Sequence, residues 1–249
     1  MTPADVVLSI VVPVKNGEDR LAESLGAIDA FRRAQPFATE VVLVDDGSDA
    51  PAARILDAWG ARGGFTLLRN ALNRGKGFAV ARGLLEARGA YRVFTDADLA
   101  YPVEEVGKVL AALQAGNDVV VACRVLPESR YLMSPVFFHY LYTRHLLSRL
   151  FNALARFALL PGILDSQAGL KGLTARAAGL VVPKLTIPGF AFDVELLHVA
   201  RVQGCRIAQI PVFFRYDSEP TTVHFVQDSW QMARDILRIR WNQARGRYA

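Results

Sequence analysis

The sequence is poor in the residues that build disulfide frameworks and zinc centres. Only two of its 249 residues are cysteine and four are histidine. Cys123 and Cys205 are flanked by apolar or strand-forming residues, so we interpret both as small buried side chains, typical of a reducing compartment. The sequence also contains no Cys/His spacing of the zinc type, no Ser–His–Asp signature and no G-x-G-x-x-G. These absences argue against a disulfide scaffold, a zinc site and a serine hydrolase.

Long hydrophobic runs are missing as well. A bilayer span needs about 18–20 uncharged residues, and the longest uncharged stretch, 131–143, contains Pro135 and His139. The apolar run 6–14 leads into Lys15 and a turn, which is not the pattern of a signal peptide. Because 52% of the residues are hydrophobic and 21% are charged, the composition also excludes disorder. We therefore expect a folded protein that is soluble or peripheral on a membrane.

The order of the predicted elements indicates an α/β fold. Short β-rich runs alternate with segments of helical periodicity, and the first run, 8–14, is apolar throughout, as expected for a strand buried on both faces. This alternation predicts a mostly parallel sheet flanked by helices, with ligands beyond the carboxyl ends of the strands. The predicted strands are 8–14, 40–44, 65–68, 91–95 and 118–123, and the predicted helices are 18–33, 52–61, 77–88 and 103–115.

Beyond Arg124 the alternation stops, and the positive charge concentrates in two amphipathic segments. The net charge of the chain is +5. Residues 124–156 hold five arginines against one glutamate, and residues 228–249 hold five arginines against two aspartates. Apolar faces beside arginines are typical of helices at a membrane surface, although core packing explains them nearly as well. We predict a catalytic domain over 1–217 with an amphipathic helical insertion at about 126–160. An amphipathic helix in 218–249 would pack on that domain or on the membrane surface.

Two motifs after predicted strands carry paired carboxylates. Asp45 and Asp46 in Asp-Asp-Gly-Ser could accept hydrogen bonds from a base or a ribose, although the motif is also a common turn. Asp96 and Asp98, separated by one residue, point the same way in an extended chain and can share a divalent cation, Mg²⁺ or Mn²⁺. A helix N-cap at Asp98 is the structural alternative.

Further motifs combine cations, glycines and carboxylates. In Asn-Arg-Gly-Lys-Gly, backbone N–H groups with Arg74 and Lys76 could cradle an anion, although the spacing is not that of a P-loop and a basic turn is as good an explanation. The segment 165–171 ends in Lys171. In the segment 192–197, Asp193 begins a predicted helix, where stabilisation of the helix dipole is the alternative role.

Taken in order, these motifs resemble glycosyltransferase family 2, and within it the polyprenyl-phosphate glycosyltransferases, above all the dolichyl-phosphate β-glucosyltransferases. No single motif decides this, but their joint order and spacing are specific and cover almost the whole chain. The matching stretches lie at 10–13 with Asn16 and 18–21, 44–48, 73–80, 96–98, 165–171, 192–197, 210–212 and 235–240.

The resemblance implies a GT-A fold that binds a nucleotide-sugar, and inverting, metal-dependent transfer of a hexosyl group at the cytoplasmic face of a membrane. Asp96 and Asp98 would hold Mg²⁺ or Mn²⁺, and Asp98, Lys171 and Asp193 would be catalytic. The nucleotide-sugar would contact Pro13, Asn16, Glu18, Asp45, Asp46, Arg74, Lys76 and Asp96. Two positions depart from the family pattern. Many members have Glu where this chain has Gly17, and mannose-transferring members often have Gln where it has Ala100, which favours UDP-glucose over GDP-mannose.

Two kinds of acceptor for the hexosyl group remain possible, a polyprenyl phosphate and a sugar hydroxyl. A polyprenyl phosphate is already anionic and needs cations rather than a strong base, and Arg124, Arg130 and Lys171 are the candidates. A sugar hydroxyl would need a carboxylate base, and Asp193 occupies the position for one. The cationic, aromatic stretch 124–156 favours the lipid phosphate and contact with an anionic membrane rather than with nucleic acid. A non-catalytic binding protein and a sugar nucleotidyltransferase are the less favoured alternatives.

Overall fold

The computed structural model describes residues 6–133, 159–216 and 225–249. Each of the five predicted strands and four predicted helices up to residue 123 is present, with boundaries within two residues of the prediction. The strands are β1 Leu8–Val14, β2 Thr39–Asp45, β3 Phe65–Arg69, β4 Tyr91–Phe94, β5 Val119–Cys123, β6 Arg130–Met133, β7 Lys171–Thr174, β8 Ile207–Pro211 and β9 Phe213–Tyr216. The helices are α1 Glu18–Ala34, α2 Ala50–Gly60, α3 Lys76–Glu86, α4 Glu105–Gln114, α5 Ala175–Val181, α6 Phe192–Val202 and α7 Phe225–Ala244, with a 3₁₀ turn at Val182–Lys184.

Seven strands form the central sheet in the order β3-β2-β1-β4-β7-β5-β8. All neighbours are parallel except β7, which runs antiparallel between β4 and β5. Strands β6 and β9 form a separate parallel pair. The sequence did not predict β6 to β9, and β7 begins with a lysine, which is not typical of a buried strand. The mostly parallel α/β architecture is confirmed.

Helices cover both faces of the sheet, and each face has its own apolar cluster. On one face α1, α2 and α4 pack through residues such as Leu25, Leu56 and Val109. On the other, α3, α5, α6 and α7 pack through residues such as Leu84 and Phe192. The sheet is therefore buried on both sides, which explains the unbroken apolar run of β1.

The predicted helical insertion at about 126–160 lies mostly outside the described residues, so its helical part stays a prediction. Its first residues form the strand β6 rather than a helix. Residues 134–158, including Arg149 and Arg156, lie outside the described part of the chain. The predicted boundary between 1–217 and 218–249 stays a prediction.

The predicted C-terminal helix corresponds to α7, and its apolar side chains differ in exposure. Ile236 and Ile239 are buried in the core cluster that includes α3 and α6. Leu237 and Trp241 are 67% and 60% exposed. Among the described helices, none combines the length and the apolar composition needed to cross a bilayer.

Candidate active site

The polar motifs of the sequence meet at one edge of the sheet. Asp45 is the last residue of β2, and Asp96 follows the last residue of β4 by two positions. Lys171 is the first residue of β7 and pairs with Phe94. Because β7 runs antiparallel to β4, its beginning lies at the same edge as the carboxyl end of β4. This is where ligands bind in parallel α/β sheets.

Asp45 and Asp46 are buried, and both organise the loops around them. Asp45 accepts hydrogen bonds from the Ser48 amide and the Arg69 guanidinium, each at 2.8 Å. Burial alone would raise the pKa of Asp45, but these partners outweigh it and hold the pKa below its usual value. Asp46 accepts from the Asn70 side chain at 2.8 Å and from the backbone of the following loop. Any contact with a nucleoside would be added to these internal bonds.

The loop after β1 is tied to the loop after β2. The Asn16 amide group accepts from the Asp49 backbone at 2.8 Å and donates to its carboxylate at 2.9 Å. Asn16 has a φ of 59°, an uncommon angle that asparagine tolerates better than most residues. Pro13 lies half-buried in β1, and Glu18 begins α1. The predicted nucleotide contacts of the first loop are thus grouped beside Asp45.

The loop before α3 differs from the prediction, because its backbone N–H groups are not aimed at a ligand. The amides of Arg74 and Gly75 donate to Asp46 at 2.9 and 2.8 Å. The Gly77 amide donates to the carbonyl of Pro188 at 2.7 Å. Gly75 has a φ of 98°, and a Cβ there would lie 2.5 Å from the same carbonyl. The prediction that these amides bind an anion is therefore wrong, because they donate to the protein itself. The side chains of Arg74 and Lys76 remain as candidates for binding an anion.

Of those two cations, Lys76 lies within the carboxylate cluster. Its ammonium is 2.6 Å from Asp96 Oδ1. Burial would lower the pKa of Lys76, but the charges of Asp96, Asp193 and Asp98 outweigh burial and raise the pKa. The Arg74 guanidinium instead lies 4.0 Å from the centroid of the Phe78 ring. Lys76 is therefore the cation closest to the predicted metal ligands, and it stays charged.

Asp96 and Asp98 interact, although the chain between them is turned rather than extended as predicted. Asp98 accepts from the Ala100 amide at 3.0 Å, and Leu99 has a φ of 47°. Asp98 does not cap α4, which begins at Glu105. Although Asp98 is exposed as a residue, partial desolvation of its carboxylate, and then the neighbouring Asp96 charge, raise its pKa. Two carboxylates that repel each other are a favourable place for a cation.

The surroundings of Asp96 fit a divalent ion. A Cβ at Gly169 would lie 2.0 Å from Asp96 Oδ2, so only glycine leaves this carboxylate in place. Within the described part of the chain, no group of three or more His, Cys, Asp or Glu side chains could enclose a metal. A pair of carboxylates leaves coordination positions for the phosphates of a ligand, as Mg²⁺ and Mn²⁺ require. The donor set therefore suits a metal that binds together with a diphosphate.

Lys171 and Asp193 form a buried ion pair. Lys171 is fully buried, and its ammonium donates to Asp193 Oδ1 and to the Ala168 carbonyl. The ammonium lies 5.5 Å from the centroid of the Phe94 ring. Burial lowers the pKa of Lys171 and raises that of Asp193, against the attraction between the two charges. The Lys171 ammonium is thus bound within the protein and is not accessible to an acceptor phosphate. The sequence had suggested that it could bind that phosphate.

Of the two predicted lipid-phosphate cations, Arg124 is bound by another buried carboxylate. Two of the three guanidinium nitrogens of Arg124, Nε and Nη2, donate to the Asp165 carboxylate at 2.7 and 2.9 Å. An acceptor phosphate would therefore share Arg124 with Asp165. Arg130 is exposed on β6. The structure brings Asp96, Asp98, Lys76, Lys171 and Asp193 together, whereas Arg130 belongs to the smaller strand pair.

A family model for glycosyl transferase family 2 matches residues 9–173. The chain belongs to this family. The match includes every residue predicted to bind the nucleotide-sugar or the metal, from Pro13 to Asp98, and also Lys171. Asp193 lies beyond it.

Curated relatives extend this family 2 assignment over nearly the whole chain. Human dolichyl-phosphate β-glucosyltransferase is 35% identical over 94% of this chain and 74% of its own length. The protein of that name from Dictyostelium discoideum is 30% identical over 97% of this chain and 76% of its own length. The sequence resemblance to this group is confirmed.

Solved structures confirm the GT-A fold. Glucosyl-3-phosphoglycerate synthase from Mycobacterium tuberculosis, in complex with phosphoglyceric acid, superposes with a TM-score of 0.67 over 94% of this chain and 80% of that one, at 20% identity. A second structure of that enzyme contains Mn²⁺, uridine diphosphate and glucosyl-3-phosphoglycerate. It has a TM-score of 0.59 over 94% of this chain and 78% of that one, also at 20% identity.

Several residues that build this family 2 site were not predicted from the sequence. Arg69 holds Asp45, Pro188 receives the amides of α3, and Gly169 leaves room for Asp96. Gly169 lies inside the motif 165–171, and its lack of a side chain is the feature of the sequence from which its role could have been predicted. Pro188 gave none, because its role depends on a contact with a helix more than 100 positions earlier.

Proposed function

We propose that this family 2 glycosyltransferase transfers glucose from UDP-glucose to a polyprenyl phosphate such as dolichyl phosphate, with inversion, at the cytoplasmic face of a membrane. The observation that carries the proposal is the cluster of Asp96, Asp98 and Lys76 at the sheet edge of a chain that is 35% identical to human dolichyl-phosphate β-glucosyltransferase. The cluster supports a diphosphate donor, and the similarity supports the sugar and the acceptor.

On the donor side, some side chains would bind the metal and another would place a positive charge beside the phosphates. Asp96 and Asp98 would hold Mg²⁺ or Mn²⁺, which supplies a Lewis acid for the departing nucleoside diphosphate. Lys76 adds a positive charge beside the same phosphates, since its ammonium already lies 2.6 Å from Asp96. The loops held by Asp45 and Asp46 form the wall beside the nucleoside. Inversion follows if the acceptor attacks from the face opposite the leaving diphosphate.

On the acceptor side, a phosphate needs no strong base, because it is ionised at neutral pH. The names of the relatives favour this acceptor. A sugar hydroxyl is the second candidate, and the burial that raises the pKa of Asp193 supports it, because a carboxylate with a raised pKa takes up a proton more readily. The two candidates differ in whether the Asp193 carboxylate accepts a proton.

A donor-by-acceptor assay tests the function. Labelled UDP-glucose, UDP-GlcNAc and GDP-mannose are each offered with dolichyl phosphate, or with 3-phosphoglycerate as a hydroxyl acceptor, in the presence of Mn²⁺, Mg²⁺ or EDTA. We expect chloroform-soluble product from UDP-glucose and dolichyl phosphate, and none with EDTA. Transfer only to the hydroxyl acceptor, or only from GDP-mannose, would replace the proposal with one of its alternatives.

Membrane contact is supported by an exposed face of α7, which we call the arginine–tryptophan face and define as Arg234, Leu237, Arg238 and Trp241 together with Arg245, which directly follows the helix. These residues are exposed and follow one another at helical spacing. The Arg245 guanidinium lies 4.5 Å from the centroid of the Trp241 ring. An apolar strip bordered by arginines complements an anionic membrane surface.

Replacing Arg238 with Glu and Trp241 with Ser is expected to weaken binding to vesicles that contain phosphatidylserine by about 10-fold or more. Each arginine near such a surface is worth about 1 kcal/mol, and charge reversal adds repulsion. Vesicle co-sedimentation measures the binding. Leu85→Ser is the control, because Leu85 is 49% exposed but lies on α3. Equal binding by the double variant and the control would show that α7 does not contact the membrane.

A further inference from the structure

Glu195 has a fully buried carboxylate that accepts four hydrogen bonds. None of them comes from a residue predicted to bind the nucleotide-sugar or the acceptor. Oε2 accepts from the amides of Thr186 and Ile187, each at 2.8 Å. Oε1 accepts from the Thr186 hydroxyl at 2.7 Å and from the Tyr248 hydroxyl at 2.6 Å. A carboxylate buried this deeply is costly unless its partners are fixed. Glu195 therefore holds the segment after the 3₁₀ turn in a single position.

Tyr248 completes this cluster from beyond α7. Its side chain is fully buried, and its ring packs edge-on against His198 with 5.8 Å between centroids. The hydroxyl accepts from the Asn242 side chain at 3.1 Å while it donates to Glu195. Burial and the Glu195 carboxylate raise the pKa of Tyr248, so the hydroxyl remains a donor. The residues that follow α7 are thereby fixed to α6.

The segment held by Glu195 is the one that fixes α3. Pro188 directly follows Ile187, and its carbonyl accepts from the Gly77 amide at 2.7 Å and from the Phe78 amide at 3.3 Å. A Cβ on Gly75 would lie 2.5 Å from this carbonyl. Lys76 lies between the two glycines that touch Pro188. A shift of Pro188 would therefore shift the backbone that carries the Lys76 ammonium.

We infer that Glu195 and Tyr248 are positioning residues, which act through the 186–188 segment to place Lys76 beside the donor phosphates. Glu195 also lies two residues after Asp193 on α6, so one turn of helix carries both a residue of the site and the anchor of this segment. The inference concerns the donor side of the proposed function and relies on it for the kinetic consequence. The contacts that lead from Tyr248 through Glu195 and the 186–188 segment to Gly77 do not depend on which sugar or acceptor is used.

Two variants remove contacts, and a third keeps only those to the two backbone amides. Glu195→Ala removes the two carboxylate oxygens that accept the four hydrogen bonds, and Tyr248→Phe removes one donor. Glu195→Gln keeps one oxygen for the two amides and offers an NH₂ group to the two hydroxyls. Ser9→Ala is the control for stability, because Ser9 is equally buried and bonds Glu40 at 2.7 Å in β1, near the end of the sheet opposite the site.

Two measurements test the inference: amide hydrogen exchange of residues 74–78, and the affinity for UDP in the presence of Mn²⁺. In Glu195→Ala we expect exchange at Gly77 and Phe78 to rise by about 10-fold or more, and UDP to bind about 3- to 30-fold more weakly. Tyr248→Phe should show the same changes at smaller size. In the assay, the KM for UDP-glucose should rise with the Kd for UDP. Glu195→Gln should remain within about 3-fold of the wild type in each quantity.

The controls separate positioning from general destabilisation. Ser9→Ala should lower the melting temperature and leave the exchange at 74–78 and the UDP affinity unchanged. If Glu195→Ala leaves exchange at Gly77 and Phe78 unchanged, or changes UDP affinity no more than Ser9→Ala does, the inference is wrong. If the wild type does not transfer glucose, the proposed function fails, whereas exchange at 74–78 still decides whether Glu195 fixes α3.

Discussion

Asp98→Asn is expected to lower the proposed glucosyl transfer by about 10³-fold while leaving the fold intact. The asparagine side chain keeps the oxygen that accepts from the Ala100 amide at 3.0 Å, so the turn after β4 should survive. What is lost is one of the two negative charges in the pair with Asp96. A neutral amide oxygen is a weaker ligand for Mg²⁺ or Mn²⁺ than a carboxylate.

The measurement is turnover against Mn²⁺ concentration, together with the melting temperature. Asp57→Asn is the matched control, because its exposed carboxylate on α2 carries the same charge and pairs with Arg69 at 3.1 Å. We expect the control to keep near wild-type turnover and the Asp98 variant to need far more Mn²⁺ for what activity remains. If the Asp98→Asn variant kept wild-type turnover at the same Mn²⁺ concentration, Asp98 would not be a metal ligand.

The positions of Asp96 and Asp98 could be predicted from the sequence because they depend on local patterns. An apolar strand followed by carboxylates places those carboxylates at the carboxyl edge of a parallel sheet, whatever the remaining strands do. The alternation of β1 to β5 with α1 to α4 follows from the same local periodicity. These elements were predicted with boundaries within two residues.

The surroundings of Lys171 could not be predicted in this way. A lysine after a polar motif has the pattern of an exposed cation. In the structure, β7 enters the sheet antiparallel between β4 and β5, so that Lys171 pairs with Phe94 and Val121 and lies in the core. That placement depends on pairings with strands about 50 and 75 positions earlier, and the Asp193 carboxylate on α6 supplies the opposite charge that the buried ammonium needs.

The buried pair leads to the second large effect, a loss of stability that is reversed by a second substitution. Lys171→Met leaves the Asp193 carboxylate without its ammonium partner, and Asp193→Leu leaves the ammonium with the Ala168 carbonyl, the Phe94 ring and the field of Asp165. Each single variant is expected to lower the free energy of unfolding by about 3–5 kcal/mol, because one uncompensated charge remains buried. The double variant should recover most of that loss, since an apolar pair needs no desolvation of ions. Denaturant unfolding of the four proteins gives the coupling energy.

Turnover of the double variant then separates a structural pair from a catalytic one. Lys76 and Asp96 affect the pKa of Asp193, so its carboxylate lies within the electrostatic field of the predicted donor site. We therefore expect the double variant to be folded but at least about 100-fold slower than the wild type, because the carboxylate orients groups during transfer. A folded double variant with near wild-type turnover would show that Lys171 and Asp193 only stabilise the fold. In that case a hydroxyl acceptor activated by Asp193 would be excluded too, since its base would be gone.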